Sequence, residues 1–302
     1  MKIVIAGGTG FIGTALVHHL LDQHHSVAVL TRNPKHSWNP LPHLSTVQWD
    51  GRTPGAWSSA LEGADAVVNL SGESIASGRW TAARKQLLID SRVESTRAIV
   101  EAMRAATKRP EVLINSSAVG YYGDVPWDDV NESFPQGNDF LANLCQRWEA
   151  EARRAEEFGI RVVLPRTGIV LDKNGGALKK MLLPFRFFAG GPLGSGKQWM
   201  PWITLQDHIR AMLFVIENKS VSGPVNFTAP NPVTMKEFAS AIGKAIHRPA
   251  FTPAPAFALK LALGEMSCMI LTGQRAVPEK LLKAGFMFED SIVEAALRNI
   301  IS

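Results

Sequence analysis

The segment Gly7-Gly8-Thr9-Gly10-Phe11-Ile12-Gly13 carries glycine at the spacing that lets a chain turn sharply and brings its backbone close to a diphosphate. An apolar run precedes it and an amphipathic run follows, so the turn joins a predicted strand to a predicted helix. The first amides of that helix, at Thr9, Gly10, Phe11, Ile12 and Gly13, then face the phosphates with the positive end of the helix dipole behind them. A second element of chemistry follows at Leu30-Thr31-Arg32-Asn33, about 20 residues past the last glycine, where an NAD site often places a carboxylate on the ribose hydroxyls. A guanidinium there can hold a 2′-phosphate by donating to it in a charge-assisted fork, whereas a carboxylate would repel that phosphate. Gly7, Gly10, Gly13, Thr31 and Arg32 therefore predict a site for NADP(H), against the plainer reading of a tight turn and a solvated cation.

Other reactive residues carry less. Gly191-Pro192-Leu193-Gly194-Ser195-Gly196-Lys197 has most of a phosphate-loop pattern, but Gln198 stands where magnesium needs a hydroxyl and Pro201 follows in place of a helix. A substrate-covering loop with Lys197 and Trp199 near its entrance is the better expectation. His18, His19, His24 and His25 lack an acidic or thiol partner at ligand spacing, and no metal site is expected. Asp207 reads as a helix cap or an inter-lobe contact. Cys145 has no cation at helical spacing to stabilise a thiolate, so it reads as a buried thiol.

The elements that must hold these groups alternate short β-branched runs with longer amphipathic ones over the first 170 residues. Strands are expected at 3–6, 27–30, 46–49, 66–70, 112–116 and 161–164, with helices near 11–21, 82–106 and 138–158. This is the pattern of an α/β fold with a doubly wound, Rossmann-like parallel sheet, and it assigns residues 1–171 to cofactor binding. Glycine pairs at 175–176 and 190–191 then end the alternation. Residues 172–302 are expected to form a smaller, mainly helical lobe covering the substrate, with some chain returning to the sheet. Capping boxes at Thr234–Glu237 and Ser291–Glu294 predict helix starts there, and 249–255 an extended connector.

The segments GGTGFIGTAL at 7–16, NLSGESI at 69–75, SRVEST at 91–96, SSAVGYYG at 116–123, RTGIVL at 166–171, GGPLGSGKQWMPWI at 190–203 and GQRAVPEKLLKAGF at 273–286 resemble the extended or atypical short-chain dehydrogenase/reductase superfamily. More narrowly they resemble its epimerase-like proteins with a short C-terminal domain of their own. The resemblance implies that Leu70, Ser71 and Arg92 reach the cofactor. It also implies a Ser paired with a Tyr-x-x-x-Lys on one helix face, in which the phenol moves a proton and the ammonium lowers its pKa. This chain cannot supply the motif: its two tyrosines are Tyr121 and Tyr122, and four residues on stand Val125 and Pro126. Alignment on Trp148-Glu149 puts Leu141 and Cys145 in the places of the Tyr and Lys. Ser117, at the end of the fifth strand, remains placed to hydrogen-bond a substrate oxygen, with Tyr121 as the nearest phenol and Glu73 as a further acid or base.

The composition narrows the rest. Formal charge is +5, but the basic residues are dispersed, which argues against nucleic acid. At 46% hydrophobic and 20% charged the chain is an ordinary globular one without a run of membrane-spanning length. Two cysteines give no disulfide framework, which suits the cytoplasm. Two functions stay open: an NADP(H)-dependent oxidoreductase or epimerase acting on a nucleotide sugar or carbonyl compound, or a non-catalytic NADP(H)-binding redox sensor. Whether the chain acts alone or as a homodimer is also open.

Overall fold

The computed structural model describes residues 1–34, 38 and 41–301. From the N-terminus run β1 (Lys2–Ala6), α1 (Phe11–Asp22), β2 (Ser26–Thr31), β3 (Leu44–Gln48), β4 (Ala66–Asn69), α2 (Ala82–Ala105), β5 (Val112–Asn115), β6 (Ser117–Ala118) and β7 (Val125–Val130). Then come α3 (Phe140–Arg153), β8 (Arg161–Thr167), β9 (Ile169–Asp172), α4 (Gly176–Arg186), β10 (Trp199–Met200), β11 (Trp202–Thr204), α5 (Leu205–Glu217) and β12 (Gly223–Phe227). The chain ends with β13 (Val233–Thr234), α6 (Met235–Ala245), α7 (Ala256–Leu263), α8 (Cys268–Leu271), β14 (Gln274–Ala276), α9 (Glu279–Lys283) and α10 (Val293–Ile301).

The main sheet has the order β3-β2-β1-β4-β5-β8-β12 with β6 beside β8, and every pairing in it is parallel. A parallel sheet must be covered on both faces, and its strands are accordingly apolar without alternation. In β1, Ile3 and Ile5 pack with Leu16, Val17 and Leu20 of α1 and with Ile209 and Met212 of α5. Val4 and Ala6 turn to the other face, against Ile99, Val100 and Met103 of α2. The six strands expected from sequence are β3, β2, β1, β4, β5 and β8, contiguous in this sheet from its β3 edge, with ends displaced by up to three residues; β8 extends furthest, because Arg166 and Thr167 find partners within the fold.

The segment after residue 171 is divided between two tasks. Its α5 and β12 complete the main sheet and its cover, so the chain does return. The remainder builds a core of its own, in which Leu178, Leu182 and Phe185 of α4 meet Phe238 and Ile242 of α6 and Leu297 of α10. Thr234 and Glu237 form the expected capping box at the start of α6. Asp207 joins the two parts: its carboxylate accepts from the amides of Glu289 and Asp290 at 3.0 and 2.9 Å and pairs with Arg210.

Beside Asp207, His208 is 1% exposed, its Nε2 lies 3.2 Å from the Thr167 hydroxyl, and its Nδ1 has no partner. Burial pushes its pKa down to about 3 from 6.5. Unfolding restores the ordinary value, so between those limits the unfolded chain binds a proton that the fold refuses. The stability due to the neutral ring is complete above pH 6.5 and is lost as pH falls toward 3, with a slope of up to about 1.4 kcal/mol per unit. Urea denaturation at pH 7 and pH 5 should therefore show the parent chain losing roughly 2 kcal/mol more than His208→Gln on acidification; equal losses would contradict a buried neutral ring.

Candidate functional site

The C-terminal edge of the sheet opens into a cleft of about 620 Å³ between the glycine turn and the ends of β2, β3 and β4. Gly7 has φ +78°, and a Cβ there would lie 2.7 Å from the Leu70 carbonyl carbon; at Gly13 a Cβ would lie 2.2 Å from the Gly7 oxygen. Both contacts require glycine, because the turn is pressed between the end of β4 and the helix it opens. Gly10 is the N-cap of α1 and, like Gly175 and Pro255 at the starts of α4 and α7, supplies no capping side chain, whereas Thr81, Asp139, Thr204 and Thr234 cap α2, α3, α5 and α6. At α1 the uncapped end also opens onto the cleft, which gives it the form of an anion site.

Of the residues expected at the cofactor, Gly7, Thr9, Gly10, Thr31, Arg32, Leu70 and Ser71 line this cleft. Gly13 supports the turn from behind, and Phe11 packs against Gly175 and Gly176. Ile12, in the first turn of α1, packs against the core. Ser71 donates its hydroxyl and its amide to Asn69 Oδ1, and Asn69 in turn donates to Asn115 at 2.7 Å and Thr96 at 3.0 Å, a buried amide chain that fixes the strand end. Sequence reasoning missed Asp50 and Arg52, which also line the cleft. Asp50 accepts from the amides of Arg52 and Thr53 and from the Thr53 hydroxyl, and these bonds pull its pKa down to about 2. The resulting turn sets Arg52 beside the same opening as Arg32. The available signal was Trp49-Asp50-Gly51-Arg52 at a strand end, where open α/β sheets hold ligands.

A second cavity of about 290 Å³ lies beyond it, enclosed by Val119, Leu144, Trp148, Ile169, Trp199 and Met269 among others. Leu141 and Cys145, four residues apart on α3, both face it. Cys145 is buried and free, and burial pushes its thiol up to about 12. Arg92, expected at the cofactor, lines this cavity and not the first. The roof comes from far along the chain: Cys268, Met269, Thr272, Gly273 and Gln274. Gly273 donates its amide to Asp124 at 3.1 Å, and Gln274 donates to the Val119 carbonyl at 2.6 Å. Lys197 is exposed and outside the lining, while Trp199 belongs to it.

The three candidate catalytic residues are not brought together. Glu73 lines the first cleft and pairs with Arg84 at 3.4 Å. Ser117 is 4% exposed and donates to Glu149 Oε1 at 2.6 Å. Tyr121 lays its ring 3.4 Å from the Arg166 guanidinium carbon. Neither Ser117 nor Tyr121 is on the wall of the second cavity; their neighbours Ala118, Val119 and Gly120 are. The reason is a buried network: Arg166 makes two bonds to Glu149, at 2.9 and 2.8 Å, and donates to the Tyr122 hydroxyl, which donates to Asn226 at 2.6 Å. Burial raises the Tyr122 pKa to about 12.

Residues 3–227 match the NAD dependent epimerase/dehydratase family, and residues 254–300 a domain of unknown function, DUF1731. The chain belongs to that family. It is 40% identical to the epimerase family protein YfhF of Bacillus subtilis over 305 aligned residues, covering 100% of this chain and 98% of the relative. The human epimerase family protein SDR39U1, solved with NADPH, superposes with a TM-score of 0.88 at 34% identity, covering 99% of each chain. A nucleoside-diphosphate sugar epimerase from Corynebacterium glutamicum gives 0.79 at 30% identity, over 100% of this chain and 58% of that one. In this member of the epimerase/dehydratase family, the C-terminal DUF1731 segment is what roofs the second cavity. No helix among the described residues is long and apolar enough to cross a membrane.

The network predicts a measurable asymmetry. Glu149→Leu leaves a buried guanidinium uncompensated and should cost about 3–5 kcal/mol in urea denaturation, whereas the double change with Arg166→Met should recover much of that loss. Additive losses would mean the pair is not coupled.

Proposed function

We propose that the chain is an NADP(H)-dependent oxidoreductase or epimerase-like enzyme that holds the cofactor in the first cleft and its substrate in the second cavity. The observation that carries this reading is the adjacency of two unlike spaces: a polar cleft bounded by uncapped helix amides and two guanidinia, and an apolar, roofed cavity beside it. Backbone around Gly7, Gly10 and Gly13 would hold the diphosphate, Arg32 and Arg52 the 2′-phosphate, and Leu70 and Ser71 the adenosine half. When bound, the nicotinamide supplies or takes a hydride. The human relative solved with NADPH supports the phosphorylated cofactor.

Leu141 and Cys145 stand on the cavity wall with the spacing of the usual Tyr and Lys, and neither can take their part. That wall favours a second reading, a cofactor-binding redox sensor without turnover, in which occupancy biases the fit of the C-terminal roof. Oxidation of bound NADPH by a panel of carbonyl compounds and sugar nucleotides, followed at the nicotinamide absorbance, separates the two: turnover supports the enzyme, and tight binding without turnover the sensor.

Cofactor choice is tested directly. NADPH should bind more tightly than NADH by about 10- to 100-fold, the value of a charge-assisted phosphate contact, and Arg32→Ala should narrow the gap by about tenfold. Titration calorimetry that finds the preference unchanged in Arg32→Ala would remove Arg32 from the site.

A further inference from the structure

Two guanidinia leave bulk water near α3, and they are treated differently. Arg166 is doubly bonded to a carboxylate. Arg92 is partly buried on α2, with its guanidinium over the Trp148 ring at 5.2 Å. It has no ion pair among the described residues. Nη1 donates to the Leu88 carbonyl at 3.0 Å and Nη2 to the Glu73 carbonyl at 3.1 Å, while Nε–H has no partner. A guanidinium has five N–H donors, so most of this one's capacity is unspent. Burial lowers its pKa, the signature of a cation short of compensation.

Its surroundings say what would compensate it. Arg92 is the one cation on the wall of the second cavity, and Asp139 is the one carboxylate there, among the described residues. Asp139 Oδ1 is engaged at 2.8 Å by the Ala142 amide as the cap of α3. Most of the remaining wall is hydrocarbon, aromatic ring or thioether. At about 290 Å³ the space sits at the bottom of the range of small-molecule pockets. A nucleotide sugar would bring two phosphate charges and a ring of hydroxyls to a wall with one cation and few polar groups, which leaves those groups unpaired.

We propose that the second cavity binds a small, predominantly apolar carboxylate, with its anionic end on Arg92 and its hydrocarbon among Leu141, Leu144, Trp148 and Met269. This rests on the reading of that cavity as the substrate space, and it replaces a sugar nucleotide with a short acid as the ligand class. The same guanidinium chemistry could serve a cofactor phosphate, because Gly72, on the wall of the first cleft, separates the two spaces: a Cβ there would come 3.2 Å from the Arg92 side chain.

The experiment is titration calorimetry of the full chain, with and without saturating NADP⁺, using straight-chain carboxylates from butyrate to decanoate, the amide of the best binder, and UDP-glucose. One member of the series should bind with 1:1 stoichiometry, and its amide about tenfold or more weaker, the loss of a charge-assisted bond. Arg92→Gln should weaken the acid to the level of the amide. Leu141→Trp, which fills the cavity without touching the guanidinium, should abolish binding of the acid; this second variant guards against Arg92→Gln failing to fold. Equal binding of acid and amide, or UDP-glucose binding more tightly than every acid, overturns the proposal. So does Arg92→Gln weakening NADP⁺ while sparing the acid, which assigns the guanidinium to the cofactor phosphate. If no acid binds to protein that still binds NADP⁺, this proposal fails and the cofactor reading stands; loss of NADP⁺ binding in the parent chain sinks the cofactor reading itself.

Discussion

The bond pair between Arg166 and Glu149 is the constraint that orders this molecule. The two side chains are 3% and 5% exposed, so neither charge could persist there alone. Arg166 stands next to the end of strand β8, and Glu149 on α3, so their fork fixes the helix against the sheet. Ser117 from β6 donates to Glu149, and the Tyr122 hydroxyl accepts from Arg166 and donates onward to Asn226 of β12. Buried pairs are weak sources of net stability but strong sources of geometry when every lone pair is occupied. Here the geometry they set is the rotation of α3, and that rotation puts Leu141 and Cys145 on a cavity wall.

The same network explains what could be read from the sequence and what could not. Gly7 and Gly13 were legible because their requirement is local: a Cβ collides with backbone a few residues away or across one strand end. The place of Arg32 on the cleft wall was legible because the length of one βα unit fixes its offset. The sheet was legible from its apolar strands. Ser117 was not, because a strand-end position tells where a residue lies along β6 but not which neighbour claims its hydroxyl. A warning was present: Arg166 interrupts an apolar strand, and a charge in such a run needs a buried partner, which Glu149 and Ser117 provide. Arg52 depends on β3 lying next to β2, and the roof on contacts 149 residues apart, as between Gly273 and Asp124; neither follows from periodicity.

The fold places two dielectric environments side by side. The first cleft is open and lined by backbone amides and guanidinia, which suits the phosphates of a dinucleotide. The second is apolar and covered by residues 268–274, so a charge entering it must be met by a charge already there. The boundary between them is the loop after β4, where Ser71 and Gly72 face one side and Arg92 presses from the other.

That arrangement limits the chemistry open to the second space. Reduction of a carbonyl needs a proton for the developing oxyanion, and the acids usually placed for it are a phenol or a group coupled to an ammonium. On this wall position 141 is a leucine and position 145 a thiol that burial keeps protonated to about pH 12, far too high to match proton transfer near neutrality. Tyr122 has its proton committed to Asn226, and Ser117 has its own committed to Glu149. For the enzyme reading, the groups left on the wall to supply the proton are Asp139, whose Oδ1 already caps α3, and the Thr167 hydroxyl, unless the proton enters with the ligand or as water beneath the roof. The roof then has a chemical as well as a steric task, because its closure sets how much water reaches the reacting atoms. The Arg166–Glu149 network takes Ser117 and Tyr122 out of reach of the second cavity, so these two side chains serve the shape of the fold.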